Sequence, residues 1–313
     1  MTTRDARHVT PALRAFTAET GIDVVVKQLG SDLIATIAAD GERSMGDVLL
    51  MEEFGPLLAA REAGITQPMD FGRIESLVPA AFRDSERHWI GLSRHARLVY
   101  ASKAAVSQAT ITYEELADPK WKGKICSRSG LHPYSLSLTA SMIAHHGLDG
   151  ARRWLVGLKA NLARKPEGND RWQVQALAEG VCQLAIANSY YMAELEAGDG
   201  EQQKWAAAAR LLFPNAADRG SHVTVSGIAV LKHTRNRALA MKLIEYLVSP
   251  EGQQVYAIMQ YAYPVMPDAH VSRLAGGGEP LVGDQLPLSQ VSQLLDQARV
   301  LSVEVDFDGV GKL

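Results

Sequence analysis

The run Val181-Cys182-Gln183-Leu184-Ala185-Ile186-Ala187-Asn188 is apolar almost throughout and ends, one residue later, in two adjacent tyrosines, Tyr190 and Tyr191. A strand with one wet face would alternate apolar and polar residues. This one does not, so it reads as a buried strand of the kind found in parallel α/β sheets. In open α/β sheets, ligands sit just beyond the carboxyl ends of such strands. Two phenols at that point need a reason, because a buried tyrosine normally requires a partner for its hydroxyl. A hard, highly charged cation is one such partner. Free phenol titrates near about 10, but a bound metal ion lowers that value as it does for water and thiols. Tyrosine oxygen also serves as an iron ligand in haem proteins. The plainer reading is two aromatic rings packing a loop against the core.

The rest of the chain supplies the context for that strand. Pro11 to Thr20 predicts a short amphipathic helix with Leu13 and Phe16 on its apolar face, ended by Gly21. A strand follows at Ile22–Val26, then a helix opening at Ser31-Asp32-Leu33 and stopped by Asp40-Gly41. Asp47–Leu50 reads as another buried strand with Glu52 and Glu53 at its carboxyl end. This βαβ alternation predicts a mostly parallel sheet. Further strands are expected near Trp89–Ser93, Arg97–Tyr100, Lys124–Cys126 and Val223–Val230. Helices are expected over Tyr134–His146, Ala151–Leu158, Arg171–Glu179, Ala193–Ala209, Arg237–Val248 and Leu288–Val303, with Ser249-Pro250-Glu251 capping one more. Ala275-Gly276-Gly277-Gly278 reads as a flexible surface loop.

At 313 residues the chain can build a large core and, most naturally, two domains. Its formal net charge of −3 gives no reason to expect nucleic acid or an anionic membrane as partner. No apolar run is long enough to span a bilayer, and the opening Met1-Thr2-Thr3-Arg4-Asp5 carries no secretory pattern. Two cysteines, Cys126 and Cys182, each fall in a short apolar stretch. If those stretches are neighbouring strands, the thiols can bridge in an oxidising compartment; otherwise they pack as small apolar groups.

Several ordered segments resemble the ferric-binding proteins of bacterial ABC importers, within the extracellular solute-binding superfamily. They are Trp89–Ser93 with Ala96-Arg97, Leu116–Cys126, Arg128–Tyr134, Gly157–Arg164, Gly168–Arg171, Asn188–Tyr191, Phe213–Asn215, Ser226-Gly227 and Tyr263–Val265. The resemblance runs from about Arg4 to Phe307. It implies an α/β, two-lobed periplasmic-binding-protein fold of class II type: two mixed sheets flanked by helices, with the ligand in a cleft between lobes. Residues 1–96 plus 225–270 would form the N-terminal lobe and 97–224 plus 271–313 the C-terminal lobe, with hinge strands near 93–100 and 222–229. The family's paired metal-binding tyrosines map onto Tyr190 and Tyr191. A third tyrosine, at the start of a helix in the same lobe, maps onto Tyr134. A helix N-terminus there also favours an anion, and some relatives hold carbonate or phosphate beside the metal. The candidates for anion or supporting contacts are Arg97, Ser129, Gly130, Asn169 and Asn188, with Arg4 as a lesser one. For each Asn and Ser the alternative is a cap or a loop contact.

The chain also departs from that pattern. Where many relatives carry an N-terminal histidine after an Arg, Asp5 stands after Arg4. Glu52 occupies the position of a glutamate ligand in some relatives, against the alternative of a solvated carboxylate at a helix start. His95 stands where relatives commonly have Arg, and His145-His146 reads as a solvent-facing helix end. The resemblance places a first strand before Arg4. Its loss would leave sheet backbone unpaired, so a clipped chain or a start assigned too late is expected. The resemblance implies a periplasmic, monomeric receptor that binds Fe³⁺, with a synergistic anion such as carbonate, and hands it to an inner-membrane permease. The alternative within binding proteins is another small solute of phosphonate, sulfate or polyamine type. A metal-dependent enzyme is the alternative from another class. The sequence shows no Gly-rich phosphate loop, no His-Glu-x-x-His helix and no Gly-x-Ser-x-Gly elbow to support it.

Overall fold

The computed structural model describes residues 1–3, 6–30, 32–266 and 281–311. Arg4, Asp5, Ser31 and the expected loop at 275–278 lie outside the described residues. The chain divides into two units, Met1–His95 with Thr224–Ser272 and Ala96–Val223 with Arg273–Leu313. No described helix is long and apolar enough to cross a membrane.

The first unit begins with α1 (Thr10–Thr20), which buries Ala12, Leu13 and Phe16. Gly21 ends it at φ 70°, donating its backbone N–H to Thr17. Glycine adopts that left-handed geometry without a Cβ penalty. Then come α2 (Leu33–Asp40), β1 (Val48–Met51), α3 (Phe54–Glu62), β2 (Thr66–Gln67), α4 (Ile74–Leu77) and the first half of β3 (Trp89–Ser102). The Ile22–Val26 stretch is not the ladder strand its composition suggests. Ile22, Val24 and Val26 are half-buried while Val25 is 90% exposed, and among the described residues the bridge in this region is at Gln28, with Thr2. Thr2 also bridges Leu50, so backbone at the front of the chain is paired on both sides.

The second unit takes the rest of β3, then β4 (Ile125–Cys126), α5 (Pro133–Ala160), α6 (Asp170–Ala178), β5 (Leu184–Asn188), α7 (Tyr190–Glu196), α8 (Gly200–Ala208) and β6 (Ala209–Leu212). Gly147, at φ 67° and ψ 172°, breaks α5 into two helical halves. That explains why two helices are read from the sequence there. Strand β7 (Val223–Leu231) returns the chain to the first unit, which adds α9 (Arg237–Leu247), α10 (Pro250–Gln260) and β8 (Tyr263–Pro264). Helices α11 (Leu288–Ser292) and α12 (Leu295–Glu304) complete the second.

Neither unit is mostly parallel: among the described residues, parallel pairing in the first is confined to the Thr2 bridges, and the second is mixed. In the first unit β7 pairs antiparallel with β1 and β2, and β8 pairs antiparallel with β3. In the second, β5 lies parallel to β4 and antiparallel to β3, and β6 is antiparallel to β3. The departure comes from β3. The sequence suggests two short strands because Arg94-His95 interrupts the apolar run, yet one strand continues through them, with His95 buried in place.

All five residues of β5 are buried. Beneath them lies a core of Tyr100, Cys126, Val174, Leu177, Cys182, Met192 and Leu195. Cys126 and Cys182 form a disulfide, with Cα atoms 5.9 Å apart, which ties β4 to the approach to β5.

Candidate functional site in the second unit

Tyr190 and Tyr191 are the first two residues of α7, immediately beyond the end of β5. Tyr134 is the second residue of α5, placed by Pro133 in the first helical turn, where proline needs no hydrogen-bond partner. Two separate helix starts thus bring three phenols together. The Tyr134 and Tyr190 hydroxyls are 3.1 Å apart. The Tyr190 and Tyr191 rings lie 4.3 Å apart, centroid to centroid, and Tyr191 is hydrogen-bonded to Tyr190. Tyr134 and Tyr190 are buried and Tyr191 is half-buried. Burial first, and Tyr190 second, push the Tyr191 phenol well above its ordinary range, with Arg128 opposing them.

Positive charge surrounds the trio. The Arg128 and Arg97 guanidinium carbons lie 5.1 and 5.8 Å from the centre of the Tyr134 ring, and that of Arg171 lies 5.4 Å from Tyr191. Arg171 in turn is paired with Glu194. Behind the rings sits Asp170, fully buried as the first residue of α6. It accepts hydrogen bonds from Arg97, from Arg128 at 3.2 Å and from the backbone N–H of Asn188 at 2.9 Å. Burial alone would raise its pKa, but Arg97 and Arg128 outweigh that and hold it below the usual carboxylate range. Arg97 also donates to the Asn188 side chain at 3.1 Å and to Ile186 O at 3.2 Å. Among the described residues, Arg97 Nε, Arg128 Nε and Asn188 Nδ2 are buried donors without an acceptor.

Other expected positions are used differently. Ser129 Oγ donates to Asp308 at 2.6 Å and Gly130 N donates to the same carboxylate at 2.7 Å. The C-terminal segment therefore takes the groups expected to meet an anion. Asn169 caps α6, its side chain accepting from Trp172 N at 3.2 Å. The cap reading accounts for it. Glu52 belongs to the first unit, half-buried just past β1. Its neighbour Glu53 is the buried one, bonded to Thr224 and 3.6 Å from His95. His145 and His146 face solvent and pair with Asp284 and Glu114.

Asp170, Arg128, Arg171 and His132 are contributors that the sequence reading passed over. His132 caps α5 by accepting from Tyr134 N at 3.2 Å, with its ring edge-on to Tyr134. Burial first, then Arg128, lower its pKa to about 3. An acid at the first position of a helix inside a matching segment was the available signal for Asp170. Among the described residues, no group of three or more His, Cys, Asp or Glu could hold a metal ion. The oxygen donors gathered here are phenols.

Residues 12–273 match the family model for bacterial extracellular solute-binding proteins. Iron uptake protein A2 of Synechocystis sp. is 40% identical over 283 residues, 89% of this chain and 82% of that protein. The major ferric iron-binding protein of Neisseria meningitidis serogroup B is 32% identical over 263 residues, 81% of this chain and 76% of its own length. Among solved structures, ferric iron-binding protein A of Mannheimia haemolytica in an open conformation has a TM-score of 0.92 at 38% identity, covering 98% of this chain and 97% of that one. A Trichodesmium protein (IdiA, FutA) solved with iron and citrate gives 0.92 at 36% identity, covering 98% of both chains. Two α/β units, with three phenols at helix starts in one of them, are thus found in a chain that belongs to the bacterial extracellular solute-binding protein family, where its relatives are iron-uptake and ferric-iron-binding proteins.

Proposed function

We propose that this protein is the ferric-iron receptor of an ABC importer, binding Fe³⁺ through the phenolates of Tyr134, Tyr190 and Tyr191 and delivering it to an inner-membrane permease from the periplasm. The observation that carries this reading is the convergence of the three phenols, with two hydroxyls 3.1 Å apart and guanidinium groups around them. Hard phenolate oxygen suits a hard trivalent cation. Three phenolates balance its charge. The disulfide agrees with an oxidising compartment.

Because the metal-free Tyr191 phenol is held protonated, loading must release protons, and affinity falls as pH falls. The unpartnered donors on Arg97, Arg128 and Asn188 suit a small anion such as carbonate beside the metal. Lobe closure about the strands that connect the two units would be what the permease recognises. Glu52 is retained as a lesser candidate ligand.

The test is a visible-absorption titration of metal-stripped protein with ferric citrate, alongside Tyr190→Phe. The expected result is a phenolate-to-iron band that saturates at one equivalent and fades in the variant. A folded protein with no band would return the site to organic or oxyanion solutes.

A further inference from the structure

The three phenols belong to two elements, so something must hold those elements in register. Tyr134 follows the loop that carries Arg128, whereas Tyr190 and Tyr191 follow β5 by two and three residues after Asn188. One carboxylate reaches both elements. One Asp170 oxygen takes Arg128 Nη1, and the other takes the Asn188 backbone N–H and Arg97. Arg97 closes the loop by donating to the Asn188 side chain, and both guanidinium groups lie over the Tyr134 ring. Asp170 is fully buried and starts a helix, so its charge is stabilised locally and its position is rigid.

Resting on the ferric reading above, we infer that Asp170 is a positioning residue. It locks the Tyr134 helix start to the Tyr190-Tyr191 helix start, so that three oxygens meet one ion without first rearranging. It touches no metal itself. It acts through Arg128 on one side and Asn188 on the other. Outer partners of this kind are worth roughly 10–100-fold in metal affinity.

The experiment is a double-mutant cycle on the intact chain, read by ferric affinity in citrate competition and by the phenolate-to-iron band. Asp170→Asn is expected to weaken binding by about 10–100-fold and to shift or weaken the band. Tyr134→Phe removes the phenol whose placement Asp170 controls. The double variant should then bind no more than about twofold worse than Tyr134→Phe alone. A merely structural Asp170 would give losses that multiply and a band unchanged in position, which would overturn the inference while leaving the ferric reading intact. Wild-type protein with no band would overturn both. Should Asp170→Asn fail to fold by circular dichroism, Arg128→Gln enters the same cycle. It cuts the arm to the Tyr134 loop and leaves Arg97 paired; with the cycle run free of carbonate, so that Arg128 has no such anion to lose, the same two outcomes decide.

Discussion

The two units bury their polar groups in different ways. In the second, a single carboxylate collects two guanidinium groups and a backbone N–H behind the tyrosines, and a disulfide crosses the core beneath them. In the first, the buried groups are spread over separate small sets: Ser93 with Ser226 at 2.6 Å, Ser226 with Tyr256 at 3.5 Å, Glu53 with Thr224 and His95, and Asp84 with a single guanidinium, Arg61, at 3.0 Å and the His88 backbone N–H at 3.0 Å. A buried ion-pair network is costly unless every charge is answered, and it holds geometry tightly once it is. Hydroxyl pairs cost less to bury and fix less. The difference teaches that the shared buried ion pair of this molecule lies beside the three phenols of the second unit.

The largest expected effect is on binding. Replacing both Tyr190 and Tyr191 by Phe should lower ferric affinity by well over the roughly 10–100-fold that an outer partner is worth, with the far-UV spectrum unchanged. Citrate competition reads this directly. Retained affinity would move the site away from the second unit.

The disulfide comes next. Cys126 and Cys182 are 56 residues apart, and a closed loop of that size is worth about 2–4 kcal/mol of folding stability. Reduction, or Cys182→Ala, should lower the unfolding free energy of metal-free protein by that amount and its denaturation midpoint accordingly. If a chemical denaturant resolves two transitions, only the one reporting the second unit should move. An equal shift in both would show that the disulfide stabilises the two units alike and would erase that contrast.

A smaller effect follows from pH. His222 is buried and bonded to Ser137 at 2.7 Å. Burial first lowers its pKa to about 4, with Asp284 opposing and Arg97 and His145 assisting. The folded chain therefore keeps His222 neutral while the unfolded chain takes up a proton below its ordinary value of 6.5. Stability is full above that value and is lost as pH falls from about 6.5 toward about 4. Between pH 7 and 5 this amounts to about 1–2 kcal/mol. His222→Gln should remove that part of the acid sensitivity, as measured by thermal midpoints at the two pH values.

Much of this organisation was legible in local sequence. The β5 run, the helix start at Pro133 and the Gly21 stop all depend on residues within a few positions of one another, whereas the one helix expected over Ala193–Ala209 is two, Tyr190–Glu196 and Gly200–Ala208. The two long strands were harder. Val223–Val230 is uniformly apolar or small and read correctly, whereas Arg94-His95 made one strand look like two. The ion-pair hub was hidden for a different reason. Asp170, Arg128 and Arg97 are separated by tens of residues, and each alone looks like an ordinary surface charge. Burial of all three can be seen only in three dimensions. The bonds of Ser129 and Gly130 to Asp308 were hidden in the same way, since Asp308 lies 179 and 178 residues further along.

The smallest prediction probes the first unit. Ser93→Ala removes the 2.6 Å bond to Ser226 inside the sheet. Ser226 retains the Tyr256 hydroxyl at 3.5 Å, so its oxygen is not stranded and the cost should be about 1 kcal/mol rather than the full desolvation penalty. Thermal denaturation measures that loss, and ferric affinity measured on the same sample should stay within about twofold of wild type if the position is uncoupled from binding. A larger fall in affinity than in stability would mean that the hydroxyl chain of the first unit is itself part of the binding machinery. The contrast between the two units would then have to be redrawn around Ser93, Ser226 and Tyr256.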